Sequence, residues 1–367
     1  MTTNNFTHRR ALLRAGLAAG TGTLLARVPA AWSQAAPAGA GAASAAGAAT
    51  AAAPNALAIG LIRNPVSALI SLTDQKGWFR DAGVTLQSSL FTGAAGPKVI
   101  QAMGGGSLAL GSVSVTAALL AIASQAVPLR IVSISTDPAP VFVLLSSPDI
   151  ASVAQLKGRK VATTAGTGLQ YFLVRALAKH GLKLSDVEFV NLPVGDAQSA
   201  FLAGRVDAVV PSLNGRYFIM QTKKDTKELH TWGDFTKPPG STQPFEDYDV
   251  FVAPQAVVEK QAPALRAFLA AYHGKGVPYL LNPATQGTAI AEITKYVNAE
   301  QKAPTDEGAM KAQLLGSGFF DLETVRKVVR SDAFRAGLDD QVKWFVDSKQ
   351  IPASIDVSKV IASELLG

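Results

Sequence analysis

The sequence predicts an α/β fold of two similar lobes, each a mixed sheet flanked by helices, with a cleft between them. Three observations carry this. From Leu57 onward, short apolar runs alternate with segments of helical period, the pattern of strands and helices sharing a sheet. The order of elements in the first unit is then echoed in a second: strand, Gly/Thr turn, helix, strand, short helix ending in Gly, strand. The clearest internal match sets Gly104-Gly105-Gly106-Ser107-Leu108-Ala109 against Ala203-Gly204-Arg205-Val206-Asp207-Ala208.

In chain order, the apolar run 57–62 reads as the first strand and 67–82 as a helix stopped by Gly83. A second strand at 84–90, a helix at 96–103, a third strand at 108–111, a helix at 114–123 and a fourth strand at 129–134 complete the first part. Val141-Phe142-Val143-Leu144-Leu145 begins the second unit, which runs to about Thr242. Its most informative stretch runs from Leu156 to Asp207. There a strand enters the turn Thr163-Thr164-Ala165-Gly166-Thr167-Gly168, which opens the helical run 169–182. A helix N-terminus carries unpaired N–H groups and positive dipole character, which suits a ligand anion. Asp249-Val250-Phe251-Val252 reads as a strand returning to the first lobe, and helices dominate from Glu259 to the end. The second lobe is therefore inserted into the first. The expected divisions are 55–137 and 244–367 for lobe one and 138–243 for lobe two, with hinge crossings near Thr136-Asp137 and near Gln243 to Asp247.

Composition narrows the function classes. Of 367 residues, 48% are hydrophobic and 17% charged, a globular balance. The net charge of +7 invites a nucleic-acid reading, but residues 1–53 hold Arg9, Arg10, Arg14 and Arg27 and no acid. With those four removed, the 34 basic residues become 30 against 27 acidic ones, a near-neutral body without a nucleic-acid footprint. The absence of cysteine excludes disulfides, thiolate metal sites and Cys nucleophiles.

The N-terminus sets the expected compartment. Thr7-His8-Arg9-Arg10-Ala11-Leu12-Leu13-Arg14 resembles the twin-arginine export signal, followed by a weakly apolar run and the small-residue site Ser33-Gln34-Ala35. Residues 1–35 are expected to be a signal peptide cleaved after Ala35, since the run is too short and too rich in Ala and Gly to span a bilayer. Residues 36–54, almost all Ala and Gly, read as a flexible linker. The mature protein is expected in a Gram-negative periplasm and not in the membrane.

Four features together resemble the periplasmic substrate-binding proteins for alkanesulfonates, taurine and nitrate, including their thiamine-precursor-like relatives. They are Trp78-Phe79 with Gly83-Val84; Leu156-Lys157-Gly158-Arg159-Lys160-Val161 leading to Gly166-Thr167; the paired helix-Gly-strand segments above; and the tail from Trp344 through Ile351-Pro352 to Asp356-Val357-Ser358. The resemblance covers most of 57–365. It implies a type II periplasmic binding protein fold that clamps a ligand between its lobes. It also implies an ABC permease with a cytoplasmic ATPase as partner, a monomer, and no enzyme activity or cofactor. A sensory module that presents ligand to a receptor and a non-cysteine enzyme of the same fold are the alternatives.

In such folds the ligand meets strand C-termini and helix N-termini of both lobes. Lobe one offers Arg63, Asn64 and Ser67, then Thr92 and Gly93, then Ser112 and Ser114. Lobe two offers Thr164, Gly166, Thr167, Gly168 and Gln170, then Asn214 and Arg216. Ser112 and Ser114 can each cap the third helix, or turn a hydroxyl toward an oxyanion. Gly166 and Gly168 remove bulk so that a ligand can approach backbone, and Arg63 or Arg216 could pair with a carboxylate or sulfonate. Where relatives carry an aromatic segment after the lobe-two strand, this chain has Pro211-Ser212-Leu213-Asn214. That difference favours a bulkier or more polar anion, with Tyr217 or Phe218 as a wall. The four His are scattered with no metal-ligand spacing, and no nucleophile elbow, Walker loop or dinucleotide fingerprint is present. No metal, cofactor or catalytic residue is expected.

Overall fold

The computed structural model describes residues 55–91, 95–125, 127–138, 142–236, 247–300 and 305–367. The expected signal peptide and linker, Thr92, Gly93 and most of the second hinge crossing lie outside these.

The chain opens with β1 (Ala56–Ile62), α1 (Pro65–Gln75), α2 (Trp78–Asp81), β2 (Thr85–Phe91), α3 (Ala95–Gly104), β3 (Leu110–Ser114), α4 (Val115–Ala123) and β4 (Leu129–Asp137). The helix expected over 67–82 is two. Asn64 caps α1, with Pro65 at its first position, and Gly77 breaks it at a φ of 77°, a left-handed conformation that costs glycine little. The third strand starts later and runs further than expected. Ser112 therefore lies inside β3 and only Ser114 caps α4.

The second unit contains β5 (Val143–Ser146), β6 (Lys160–Thr163), α5 (Gly168–Lys179), β7 (Glu188–Asn191), α6 (Val194–Leu202), β8 (Ala208–Val209), α7 (Leu213–Thr222) and β9 (Lys227–Thr231). The chain then returns through β10 (Asp249–Pro254), followed by α8 (Gln255–Lys260), α9 (Ala262–Ala271), α10 (Val277–Leu281), α11 (Gln286–Glu300) and α12 (Glu307–Gly316). A π-helical turn, Tyr272–Gly276, joins α9 to α10. The short β11 (Gly318–Phe319), α13 (Leu322–Val329) and α14 (Asp332–Asp347) complete the set.

These strands form two mixed sheets. The first has the order β11-β4-β10-β3-β1-β2 and the second β7-β6-β8-β5-β9. Residues 143–231 thus build a sheet of their own, and β10 returns to the interior of the first, antiparallel to both β3 and β4. That pairing sets Asp249 opposite Ser114 on one side and Thr136 on the other. The edge strands β9 and β11 escaped the sequence reading. The first, Lys-Glu-Leu-His-Thr, lacks an apolar run, and the second is two residues long.

Burial follows the strand period of two. In the second sheet Phe142 and Leu144 face one apolar cluster with Tyr171 and Phe172, while Val143 and Leu145 face another with Ala197 and Phe201. A larger cluster packs the first sheet against its helices, with Phe251, Phe268 and Tyr272 in mutual ring contact. Inside it His273 is held by Phe320 O, 2.8 Å from Nδ1, and by the Ser133 hydroxyl, 2.9 Å from Nε2. A carbonyl can only accept, so Nδ1 carries the proton and Nε2 accepts. Burial pushes this imidazole down to about 4, with the Phe320 carbonyl and Asp321 opposing the shift.

Candidate functional site

A cavity of about 440 Å³ lies where the two sheets' loops converge. Lobe one contributes the end of β1, the start of α1, and residues of β3, α4 and β10. Lobe two contributes Phe142, the turn before α5, and Val194 and Ser212. Most of the lining is apolar, and the few polar groups come from helix N-termini and strand ends, the usual composition of a small-molecule site.

Several sequence-predicted residues meet here. Arg63, Asn64, Ser114, Thr164, Thr167 and Gly168 all line the cavity. The Asn64 side chain accepts from Ser67 N–H (2.9 Å), and Ser114 Oγ accepts from Ala117 N–H (3.2 Å). Both residues therefore cap helices while facing the cavity. Arg63 is exposed at the cavity edge and has no ion-pair partner among the described residues. Thr164 donates its hydroxyl to Leu192 O and Thr167 donates to Thr164 O. Thr167 thus leaves the N-terminus of α5 without a side-chain cap.

Other predicted residues serve the scaffold. Ser67 is buried, accepting from Ile62 N–H (3.0 Å), which locks β1 to α1. Ser112 is buried in β3 with its hydroxyl 3.2 Å from that of Ser135, so its expected place at the cleft is corrected. Gln170 reaches back to accept from Gly166 N–H (2.8 Å), which fixes the turn, and Gly166 itself takes a φ of 70°. Asn214 lies in the first turn of α7. Arg216 turns to Glu228 on β9, with Nη2 at 2.6 Å and Nε at 3.1 Å from one carboxylate oxygen, away from the cavity. Tyr217 and Phe218 are 46% and 57% exposed and form no wall; α7 directs them to solvent, and Phe91, Phe142 and Leu169 supply the apolar lining.

The residues that sequence reasoning missed are acidic. Asp247 and Asp249 both line the cavity from the start of β10. Asp247 is fully buried. Its Oδ1 is 2.8 Å from the Thr116 hydroxyl and 3.4 Å from Thr116 N–H, whereas Oδ2 has no hydrogen-bond partner. Burial pushes this carboxyl up to about 8. The Thr116 hydrogen bonds oppose the shift, and the neighbouring Asp249 and Asp137 add to it. The Thr116 hydroxyl is also 2.8 Å from Gln341 Oε1. One hydroxyl proton cannot serve both oxygens; either a protonated Asp247 donating to Thr116 or a turned Gln341 amide donating through Nε2 resolves the chain. Asp249 accepts from the Thr136 hydroxyl at 3.4 Å, and burial lifts it to about 6. Across the lobes, Asp247 Oδ2 lies against Gly168, where a Cβ would fall 1.5 Å from it. Only glycine leaves that carboxyl its room. The signal available in the sequence was Asp-x-Asp at the mouth of the returning strand, since residues two apart on extended chain face the same way.

Among the described residues no cluster of His, Asp or Glu has the arrangement of a metal site, and no helix is long and apolar enough to cross a membrane.

Comparison with known proteins agrees with this architecture. The family described as "NMT1/THI5 like" matches residues 64–285. A Brucella abortus (strain 2308) protein named as a binding protein is 24% identical over 294 residues, covering 79% of this chain and 84% of its own. The periplasmic aliphatic sulphonate binding protein of Escherichia coli superposes with a TM-score of 0.67 at 22% identity, over 84% of this chain and 92% of its own. The alkanesulfonate-binding protein of Xanthomonas axonopodis pv. citri, bound to MOPS, gives 0.67 at 19% identity, over 85% and 99%.

Proposed function

Because the chain belongs to the NMT1/THI5-like family, we propose that it is the extracytoplasmic solute-binding protein of an ABC importer. It captures a small organic anion between its lobes and delivers it to an inner-membrane permease. The observation that carries this reading is the cavity itself. It is of solute size and bounded by both lobes, and it is bordered by the Arg63 guanidinium, which has no ion-pair partner among the described residues, and by the N-terminus of α5, which has no side-chain cap. The names of the sulfonate-binding neighbours support the class of solute, and the periplasmic label of the Escherichia coli protein supports the compartment. The leader around Arg9 and Arg10 supports export by the twin-arginine route. Lobe closure on ligand would bias a two-state hinge and present the permease with a changed surface. The protein acts as a monomer and performs no chemistry on its solute.

The test is a thermal-shift screen of residues 36–367 against alkanesulfonates, taurine, nitrate, aromatic carboxylates and thiamine precursors. Ligand at about a hundred times its Kd stabilises the native state by roughly 2.7 kcal/mol, a shift of a few degrees for a chain of this size. A response confined to one anion class supports capture and names the solute. Flat melting curves across the whole panel refute capture of a small anion.

A further inference from the structure

We infer that the solute of this cleft carries an N–H donor head, an ammonium or similar group, read by Asp247 and Asp249, while Arg63 and the N-terminus of α5 take its acidic end. The inference rests on the solute-capture reading and specifies the chemistry of the same site.

The argument starts from Asp247 Oδ2. A buried acceptor without a donor is costly, and this one, on a residue that lines the cavity, has no partner among the described residues. The need for a donor does not depend on ionisation. If the carboxyl is protonated, Oδ1 gives its proton to Thr116 and Oδ2 remains a carbonyl-type acceptor. If it is ionised, Oδ2 is a stronger acceptor still. Either way the group the cavity must supply is a donor, which a plain sulfonate, carboxylate or nitrate lacks.

Asp249 repeats the demand two residues on. Its one side-chain hydrogen bond among the described residues, from Thr136, is long at 3.4 Å, and it lines the same cavity. Asp137, at the end of the neighbouring strand β4, lies close enough for its charge to act on both. Against this acidic floor the described lining offers one basic side chain, the exposed Arg63. Like charges in a low-dielectric pocket repel strongly, so a solute that is only an anion meets a floor of its own sign. A solute with an amine places that group on Asp247 and Asp249 and leaves its acidic group to Arg63 and the α5 backbone.

Isothermal titration of the mature protein with matched pairs tests this: taurine against ethanesulfonate, β-alanine against propionate, and 5-aminovalerate against valerate. The amine-bearing member of at least one pair is expected to bind roughly tenfold tighter or more, the size of one charge-assisted hydrogen bond. Asp247→Leu approximates the side-chain shape, lets the Thr116 hydroxyl donate to Gln341 Oε1 and removes the acceptor that the solute's donor would meet. It should cut that preference to within about threefold while circular dichroism stays unchanged, and Asp249→Asn should narrow it less. A purely structural role would weaken both members of a pair alike and leave their ratio intact, which would overturn the inference. Equal or tighter binding of the amine-free members by the unaltered protein would also overturn it and leave anion capture standing. Blank titrations with all six would overturn both readings.

Discussion

Asp247→Asn should abolish most of the protein's loss of stability between pH 6.5 and 9. The unfolded carboxyl titrates near 3.8 and the folded one near 8, so over this interval the folded chain holds a proton that the unfolded chain has released. A group raised in this sense contributes stability that is complete below the unfolded value and disappears as pH climbs through the folded one. The slope is about 1.36 kcal/mol per pH unit while only the folded state is protonated. Integrated from pH 6.5 to 9, with the proton lost around 8, it amounts to about 2 kcal/mol. The lower limit of the window matters. His273, depressed to about 4, acts with the opposite sign as pH falls below 6.5, and Asp249, near 6, is largely ionised above it. At roughly 2.1 cal/mol/K per residue over a folded body of roughly 300 residues, 2 kcal/mol corresponds to about 3 °C. Scanning calorimetry at pH 6.5, 8 and 9 in buffers of matched ionic strength should show the unaltered protein losing about that much and the Asn variant staying nearly level. Parallel curves for the two proteins would refute the reasoning, because they would mean that Asp247 is already ionised in the folded state at pH 6.5.

Gly168→Ala places a methyl 1.5 Å from Asp247 Oδ2 at the point where the lobes meet. It should lower solute affinity by about tenfold or more and, by small-angle scattering, increase the radius of gyration; unchanged values of both would show that the carboxyl yields freely. Arg63→Ala should weaken an anionic solute by about tenfold or more with melting temperature unaltered, whereas Arg216→Ala should leave titration isotherms unchanged, because that guanidinium is held by Glu228 outside the cavity. Tyr171→Phe removes the phenol that donates to Asp340 at 2.7 Å between α5 and α14. It should shift the urea midpoint by the equivalent of about 1 kcal/mol, and no shift would show the bond to be energetically idle.

Strand and helix order were legible in the sequence because the interior strands are short, mostly apolar runs, as at 57–62, 129–134 and 249–252. Elements without that signature were not: β9 is an edge strand of mixed polarity, and β11 exists only because Gly318 and Phe319 pair with the end of β4. Local pattern also misplaced Ser112. A serine before a helical run reads equally well as a cap or as a strand residue, and the pairing of β3 with β10 decides for the strand. Arg216 shows the same limit from the other direction. Its position after a strand was read correctly, but Glu228, twelve residues on and unremarkable in sequence, sets where its charge goes.

The cleft's acidity was hidden for a topological reason. Along the chain, Asp137 lies more than a hundred residues from Asp247 and Asp249, and each was readable only as a polar residue near a hinge. What joins them is that β10 enters the first sheet antiparallel to both β3 and β4, so its N-terminal end lies beside their C-terminal ends. Strand C-termini are where α/β sheets bind ligands, and an antiparallel newcomer brings its first residues there instead of its last. Had β10 been parallel, Asp249 would stand at the opposite edge of the sheet and the cavity would be bordered by Arg63 and helix N-termini, a site for a simple anion. One reversed strand, together with the glycine at position 168 that leaves its carboxyl room, turns that site into one that also asks its solute for a donor.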